Sequence, residues 1–257
     1  MQHRHIDRRQ YFKEEAVTTE RYFIPYISRY IDINGGNIFE IGCGEGGNLL
    51  PFARLGCKVT GLDVNEARVS QARRYFSDCH AEGTFQCEDI LEYDSSGRQF
   101  DVVIAHDVIE HIADKEALLT VIRSLLAPGG IAFVAFPAWQ MPFGGHQQIA
   151  RSRILSHLPY VHLLPDRLYK SVLKIFGESD STVKELTDIR QTRCTIEHFE
   201  CLVRFSGMHI ADRLLWAVNP HYETKFGLRP LPLCRTLADI PNVRNYFSTS
   251  CFYILSV

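Results

Sequence analysis

Ile38-Phe39-Glu40-Ile41-Gly42-Cys43-Gly44-Glu45-Gly46-Gly47-Asn48 decides how the rest of the chain is read. An apolar run ends in an acid, a glycine-dense turn follows, and Leu49, Leu50, Phe52, Ala53 and Leu55 then recur at helical spacing. The pattern predicts strand, tight turn, helix. Glycines let backbone approach a ligand, and a helix start offers unpaired N–H groups, so a nucleotide-like ligand is expected on the turn.

Downstream, strands and helices alternate. Lys58–Asp63 predicts a second strand ending in an acid, and an acid there can accept two hydrogen bonds from ribose hydroxyls. Glu66–Phe76 predicts a helix, and Thr84–Ile90 a third strand whose final Asp89-Ile90 suits an exocyclic amine and the face of an adenine. Phe100–Ala105 is continuously apolar, as in the centre of a parallel sheet. A helix from about Lys115 to Leu126, the breaker Pro128-Gly129-Gly130 and a fifth strand Ile131–Phe136 follow. Alternation of this kind predicts a doubly wound, mostly parallel α/β sheet covered on both faces.

Upstream, Thr18 or Thr19 is expected to cap a helix running through Tyr30, packed on the sheet edge, with Tyr11, Phe12 or Tyr22 as alternatives for closing the ligand pocket. Residues 1–35 thus form a helical cap, and Arg4, Arg8 and Arg9 a solvated basic start.

The chain has 257 residues, 46% of them hydrophobic, which suits one domain with an insertion or at most two small ones. Its net charge of −2 gives no global electrostatic case for nucleic acid. The eight cysteines lack a CxxC pair and read as reduced thiols rather than a zinc site or a disulfide frame. With no secretory signal or 18-residue apolar run in the sequence, a soluble, cytoplasmic protein is expected. The residues do not indicate an oligomeric state.

Two cofactors compete for the turn. Gly42, Gly44 and Gly47 satisfy GxGxxG with Asp63 about 20 residues on, as in nicotinamide dinucleotide sites. Glu40 facing a cationic amino-acid moiety, Asp89-Ile90, and a late strand pair at His209–Val218 and Ser250–Val257 favour S-adenosylmethionine instead. Glu40-x-Gly42-x-Gly44-x-Gly46, Asp63, Asp89-Ile90, Phe100-Asp101-Val102-Val103 and Leu126-Ala127-Pro128-Gly129-Gly130 together resemble the class I S-adenosylmethionine-dependent methyltransferases, over roughly residues 36–136. The resemblance implies a Rossmann-like seven-stranded sheet with its last strand antiparallel, filling 36–257. It also implies cofactor contacts from Glu40, Gly42, Cys43, Gly44 and Asn48 near the methionine part, Asp63 and Val64 at the ribose, Asp89 and Ile90 at adenine, and His106 near the amino-acid end.

Asp107-x-x-Glu110-His111 resembles the Glu-x-x-Glu-His of the ubiquinone-biosynthesis O-methyltransferases and of the small-RNA 3′-end 2′-O-methyltransferases, where acids and histidine accompany a divalent metal. Asp107 is one methylene short, which counts against a metal. The alternative is that the motif caps the next helix and lines the pocket. Residues 107, 110 and 111 are expected on one helical face, with His146 as a further ligand. For an oxygen acceptor, His146 and His111 are the candidate bases.

Residues 138–192 exceed a minimal domain of this kind and read as a substrate lid. A helix Asp166–Phe176 is expected there with Leu168, Tyr169, Val172, Leu173 and Phe176 on one face, then a loop at Ser179–Thr182. Thr195 is expected to cap the following helix, which runs to about Gly207. The polar Gly144–Gln148 segment suits a small-molecule or saccharide hydroxyl, and a membrane or lipid-linked acceptor is a lesser alternative. Three readings result: an O-methyltransferase yielding S-adenosylhomocysteine, an NAD-dependent oxidoreductase, and a catalytically silent S-adenosylmethionine binder.

Overall fold

A computed structural model describes residues 7–257, so Arg4 lies outside the described residues. Helix α1 (Arg8–Thr18) is capped by Asp7, whose carboxylate accepts from Gln10 N. It runs on through a π-helical turn, Thr19–Phe23, into the short α2 (Ile24–Ile27). Thr18 and Thr19 therefore lie inside the helix and do not cap it. Arg8 and Arg9 are its first residues and not a solvated tail; they pair with Glu45 at 3.5 Å and Asp78 at 3.1 Å.

The sheet follows: β1 (Asn37–Ile41), α3 (Leu49–Arg54), β2 (Lys58–Asp63), α4 (Glu66–Asp78), β3 (Thr84–Cys87), β4 (Phe100–His106), α5 (Lys115–Leu125) and β5 (Leu126–Phe136). These five strands are parallel to one another. β3 stops at Cys87, which leaves Asp89 and Ile90 in the turn beyond it. Pro128-Gly129-Gly130 lies within β5, in a register irregularity between the Phe100–Leu126 and Val102–Ile131 pairs.

Two helices of the insertion, α6 (Asp166–Ile175) and α7 (Asp180–Gln191), precede α8 (Ile196–Phe205). Thr195 caps α8 by accepting from His198 N. Ser179 likewise caps α7 by accepting from Thr182 N, so the Ser179–Thr182 stretch is a helix start and not a loop. β6 (His209–Val218), α9 (His221–Phe226), β7 (Leu231–Pro232) and β8 (Ser250–Ser256) complete the order β3-β2-β1-β4-β5-β8-β6-β7. β8 inserts antiparallel between β5 and β6. The sheet is thus Rossmann-like and mostly parallel, as expected, but it has eight strands instead of seven because the two residues of β7 pair along the edge of β6.

Alternation along the strands divides the core. Phe39, Ile41, Val103, Ala105 and Val134 pack under Leu118 and Ile122 of α5 and Phe199 of α8. Ile38, Val102, Ile104 and Phe133 pack on the other face under Phe12, Phe23, Leu49, Phe52 and Phe76. Full burial of such side chains stabilises by ~1.5–3 kcal/mol each. The insertion has a separate small cluster built on Leu155, Tyr169, Leu173 and Leu186. Leu168, expected on its buried face, is 54% exposed. Among the described residues no helix is long and apolar enough to cross a membrane.

Candidate active site

The carboxyl ends of β1, β2 and β4 meet at the glycine turn. Gly44 has φ +51°, a left-handed conformation that glycine adopts without strain, and its N–H donates to Asp63 Oδ2 at 2.9 Å. Asp63 Oδ1 accepts from Asn65 N at 2.8 Å, so one carboxylate ties the turn to the end of β2 while keeping lone pairs for a ligand. Gly47 serves a different purpose. A β-carbon there would lie 2.6 Å from Phe12 O and 2.5 Å from Glu15 Oε2, so this glycine admits α1 against the turn.

Glu40 is buried at the end of β1. Its Oε1 accepts from Asn48 Nδ2 at 2.7 Å, while its Oε2 has no hydrogen-bond partner. Burial pushes its carboxyl up to about 8. Asn48 Oδ1 in turn accepts from the Thr19 hydroxyl at 2.8 Å, and Asn48 Nδ2 lies 3.5 Å from His106 Nδ1. His106 also packs edge-on to Phe23.

A cavity of about 480 Å³ opens beside the turn, lined by Gly42, Asp63, Asp89, Ile90, Asp107 and His111. That is the size of a small-molecule site. Asp89 Oδ1 accepts from Leu91 N, Ile90 is buried, and Val64 stands 69% exposed at the rim. Cys43 faces away from the cleft: its sulfur would meet a β-carbon on Gly61 at 2.6 Å.

A second cavity, of about 250 Å³, takes in Tyr11, Asp107, His146, Asn219, His221 and Tyr222. Arg68 and Asp107 border both cavities. Asp107 and His146 have φ of +54° and +55°, left-handed values that cost a non-glycine residue energy and concentrate at functional sites. Residues 107–111 form a turn and not a helix, so the expected shared helical face is absent. The ligand atoms of Glu110, His111 and His146 nevertheless lie within 4.8 Å of one another, without Asp107. Glu110 is buried, neither carboxylate oxygen has a hydrogen-bond partner, and burial followed by the nearby Asp107 holds its carboxyl well above the usual range. The His111 and His146 rings meet edge to face at 5.0 Å. Burial lowers both, His146 to about 4, so both imidazoles are neutral at physiological pH.

The comparisons with known proteins bear on this geometry. Residues 39–132 match a family model described as a methyltransferase domain. That stretch, from β1 into β5, is thus similar to a methyltransferase domain. It is similar to the ubiquinone biosynthesis O-methyltransferase of Bradyrhizobium sp. (strain ORS 278), 35% identical over 103 residues that cover 40% of each chain. It is 32% identical over 127 residues to the enzyme of the same name from Rhizobium leguminosarum bv. trifolii (strain WSM2304), covering 49% of this chain and 50% of the relative. The chain thus spans half or less of the length of these relatives. Among solved structures, an S-adenosylmethionine-dependent methyltransferase from Clostridium acetobutylicum superposes with TM-score 0.57 at 10% identity, covering 93% of this chain and 91% of that one. Magnesium protoporphyrin IX methyltransferase from Synechocystis PCC 6803 with bound S-adenosylhomocysteine gives 0.52 at 16% identity, covering 93% and 83%. At these identities the likeness is one of fold.

Several residues at the site had no sequence signal. Glu15 from α1 and Arg68 from α4 gather on the glycine turn, where Arg68 meets the turn's own Glu45. Only Arg68 had a readable cue: it stands in the first turn of α4, and helical side chains lean toward the N-terminus, here toward the strand ends.

Proposed function

We propose that the chain is an S-adenosylmethionine-dependent methyltransferase that methylates a hydroxyl oxygen of a small molecule or saccharide and releases S-adenosylhomocysteine. The observation that carries this reading is the common wall of the two cavities at Arg68 and Asp107, across which His111 of the donor-side cavity meets His146 of the acceptor-side cavity. The donor-side residues fit such a cofactor: Glu40 presents an unpartnered buried oxygen for a cationic group, Asp63 retains acceptor capacity for hydroxyls, and Ile90 offers a buried apolar face. When bound, this cofactor supplies a methyl group already activated by a sulfonium.

The protein's part is then alignment and proton removal. His146, neutral through burial, borders the acceptor cavity and takes the hydroxyl proton, with His111 against its ring. Glu110, His111 and His146 also fit a divalent cation, since the set combines one carboxylate lacking hydrogen bonds with two neutral imidazoles. They would hold the ion through those atoms, and the ion would supply polarisation of the acceptor oxygen.

The test is a panel of phenolic and saccharide acceptors incubated with S-adenosylmethionine and read by mass spectrometry. A product heavier by one methyl on oxygen, formed together with S-adenosylhomocysteine, is expected. Cofactor binding with no product across the panel supports a silent binder instead, and hydride transfer with NAD supports an oxidoreductase.

A further inference from the structure

Arg68 stands in the wall common to both cavities. Its Nε lies 3.3 Å from Glu45 Oε1 and its Nη1 3.9 Å from Asp63 Oδ2. A β-carbon built on Gly44 would come within 3.7 Å of the guanidinium carbon. The guanidinium therefore rests on the glycine turn, between the adenosine-side residues Asp63, Asp89 and Ile90 and the acceptor-side His146. Any ligand reaching from one cavity to the other passes through this ground.

Acids surround it. Glu15, Glu40 and Glu45 are buried, and each has at least one carboxylate oxygen without a hydrogen bond. Glu15 is held well above the usual range by burial, then by Glu40 and Glu45. The charge of Arg68 couples to Glu45, Asp63, Tyr11 and Glu15, while Arg8 reaches Glu45 at 3.5 Å. A buried carboxylate without counter-charge is costly, and Glu45, which has no hydrogen bond at either oxygen, keeps the guanidinium groups of Arg68 and Arg8 beside it. With its side chain 35% exposed, Arg68 also has a route to solvent.

We propose that Arg68 competes with the donor's α-ammonium for the acids of the glycine turn and is displaced toward solvent as the methionine part is taken up. The proposal rests on the S-adenosylmethionine reading of the cleft. Arg68 pairs with Glu45 and Asp63 while the ammonium would face Glu40, and Glu15 lies within the field of Glu40, Glu45 and Arg68, so guanidinium and ammonium serve one acid cluster and net affinity is the difference between the two interactions. Arg68 thereby sets how strongly the amino-acid part of the ligand contributes to binding.

Arg68→Met keeps the aliphatic stem and removes the charge. Calorimetry would compare S-adenosylhomocysteine with 5′-methylthioadenosine, which lacks the ammonium. Arg68→Met should bind S-adenosylhomocysteine about three- to tenfold more tightly than the wild type, with methylthioadenosine affinity within about twofold. Its unfolding temperature should fall by a few degrees without ligand and recover to the wild-type value with saturating S-adenosylhomocysteine. Arg68→Lys, which keeps a competing cation, should stay within about twofold of wild type for both ligands. Weaker or unchanged S-adenosylhomocysteine binding in Arg68→Met overturns the proposal, as does an equal gain for both ligands or a tenfold change in Arg68→Lys. A wild type that binds S-adenosylhomocysteine while these variants fail leaves the methyltransferase reading standing. A wild type that binds neither ligand ends both.

Discussion

The donor side and the acceptor side of the cleft are made differently. On the donor side Glu40, the glycine turn and Asp63 sit at the ends of neighbouring parallel strands, tied together by hydrogen bonds from Gly44, Asn48 and Asn65. On the acceptor side, His146 follows β5 in an irregular segment, and α9, which supplies His221, Tyr222 and Lys225 to the cavity wall, buries none of its residues completely; α6 and α7, further along the chain, pack on a small cluster of their own. The sheet fixes the first half, and separable pieces carry the second. Donor recognition should therefore tolerate changes that alter or abolish use of an acceptor.

The largest expected effect tests that separation. His146→Ala should lower turnover about 10²- to 10⁴-fold while S-adenosylhomocysteine affinity stays within about twofold, and His111→Ala, at the border with the donor-side cavity, should lower turnover as well. Initial rates with the acceptor found in the panel, beside calorimetry on the same variants, check it; a parallel loss of affinity would erase the distinction. The converse change, Asp63→Ala, should weaken S-adenosylhomocysteine by about 10- to 100-fold through the lost carboxylate hydrogen bonds, and unchanged affinity would remove Asp63 from the donor half.

Next in size are stability effects. Leu173→Ala should cost about 2–5 kcal/mol within the insertion, seen as early exchange of α6 and α7 amides, with cofactor affinity preserved. Early exchange spreading into β1 and β2 would show the two halves to be one unit.

The smallest concerns pH. Glu40 has its folded pKa raised to about 8 against about 4.3 in the unfolded chain. Its contribution to stability is fully present below the unfolded value and is lost as pH rises through that window. Glu40→Gln should remove this loss, so the mutant gains on the wild type as pH goes from 5 to 8. His146 and His162, both lowered to about 4 by burial, act oppositely, since stability is lost as pH falls from about 6.5 toward 4. Chemical denaturation at several pH values isolates the Glu40 contribution as the difference between the two proteins.

How much the sequence disclosed follows the same division. Strands with apolar runs, the glycine turn and the late pair β6 and β8 were readable because each is a local pattern with one dominant period or breaker. At the N-terminus, Thr18 and Thr19 read as caps because such residues usually sit at helix starts. Instead Gly47 leaves room for α1 to press on the turn, and Thr19 spends its hydroxyl on Asn48. Around Asp107, the i, i+3, i+4 spacing read as a helix, but the left-handed backbone at Asp107 breaks it. Glu15, Glu45 and Arg68 come together only through tertiary packing, which spacing along one chain does not encode.

Titration of the purified protein with S-adenosylhomocysteine, and separately with NAD, tests the central claim most directly. Saturable one-to-one heat with S-adenosylhomocysteine and none with NAD is the predicted result. Binding of NAD, with no heat from S-adenosylhomocysteine, would contradict it.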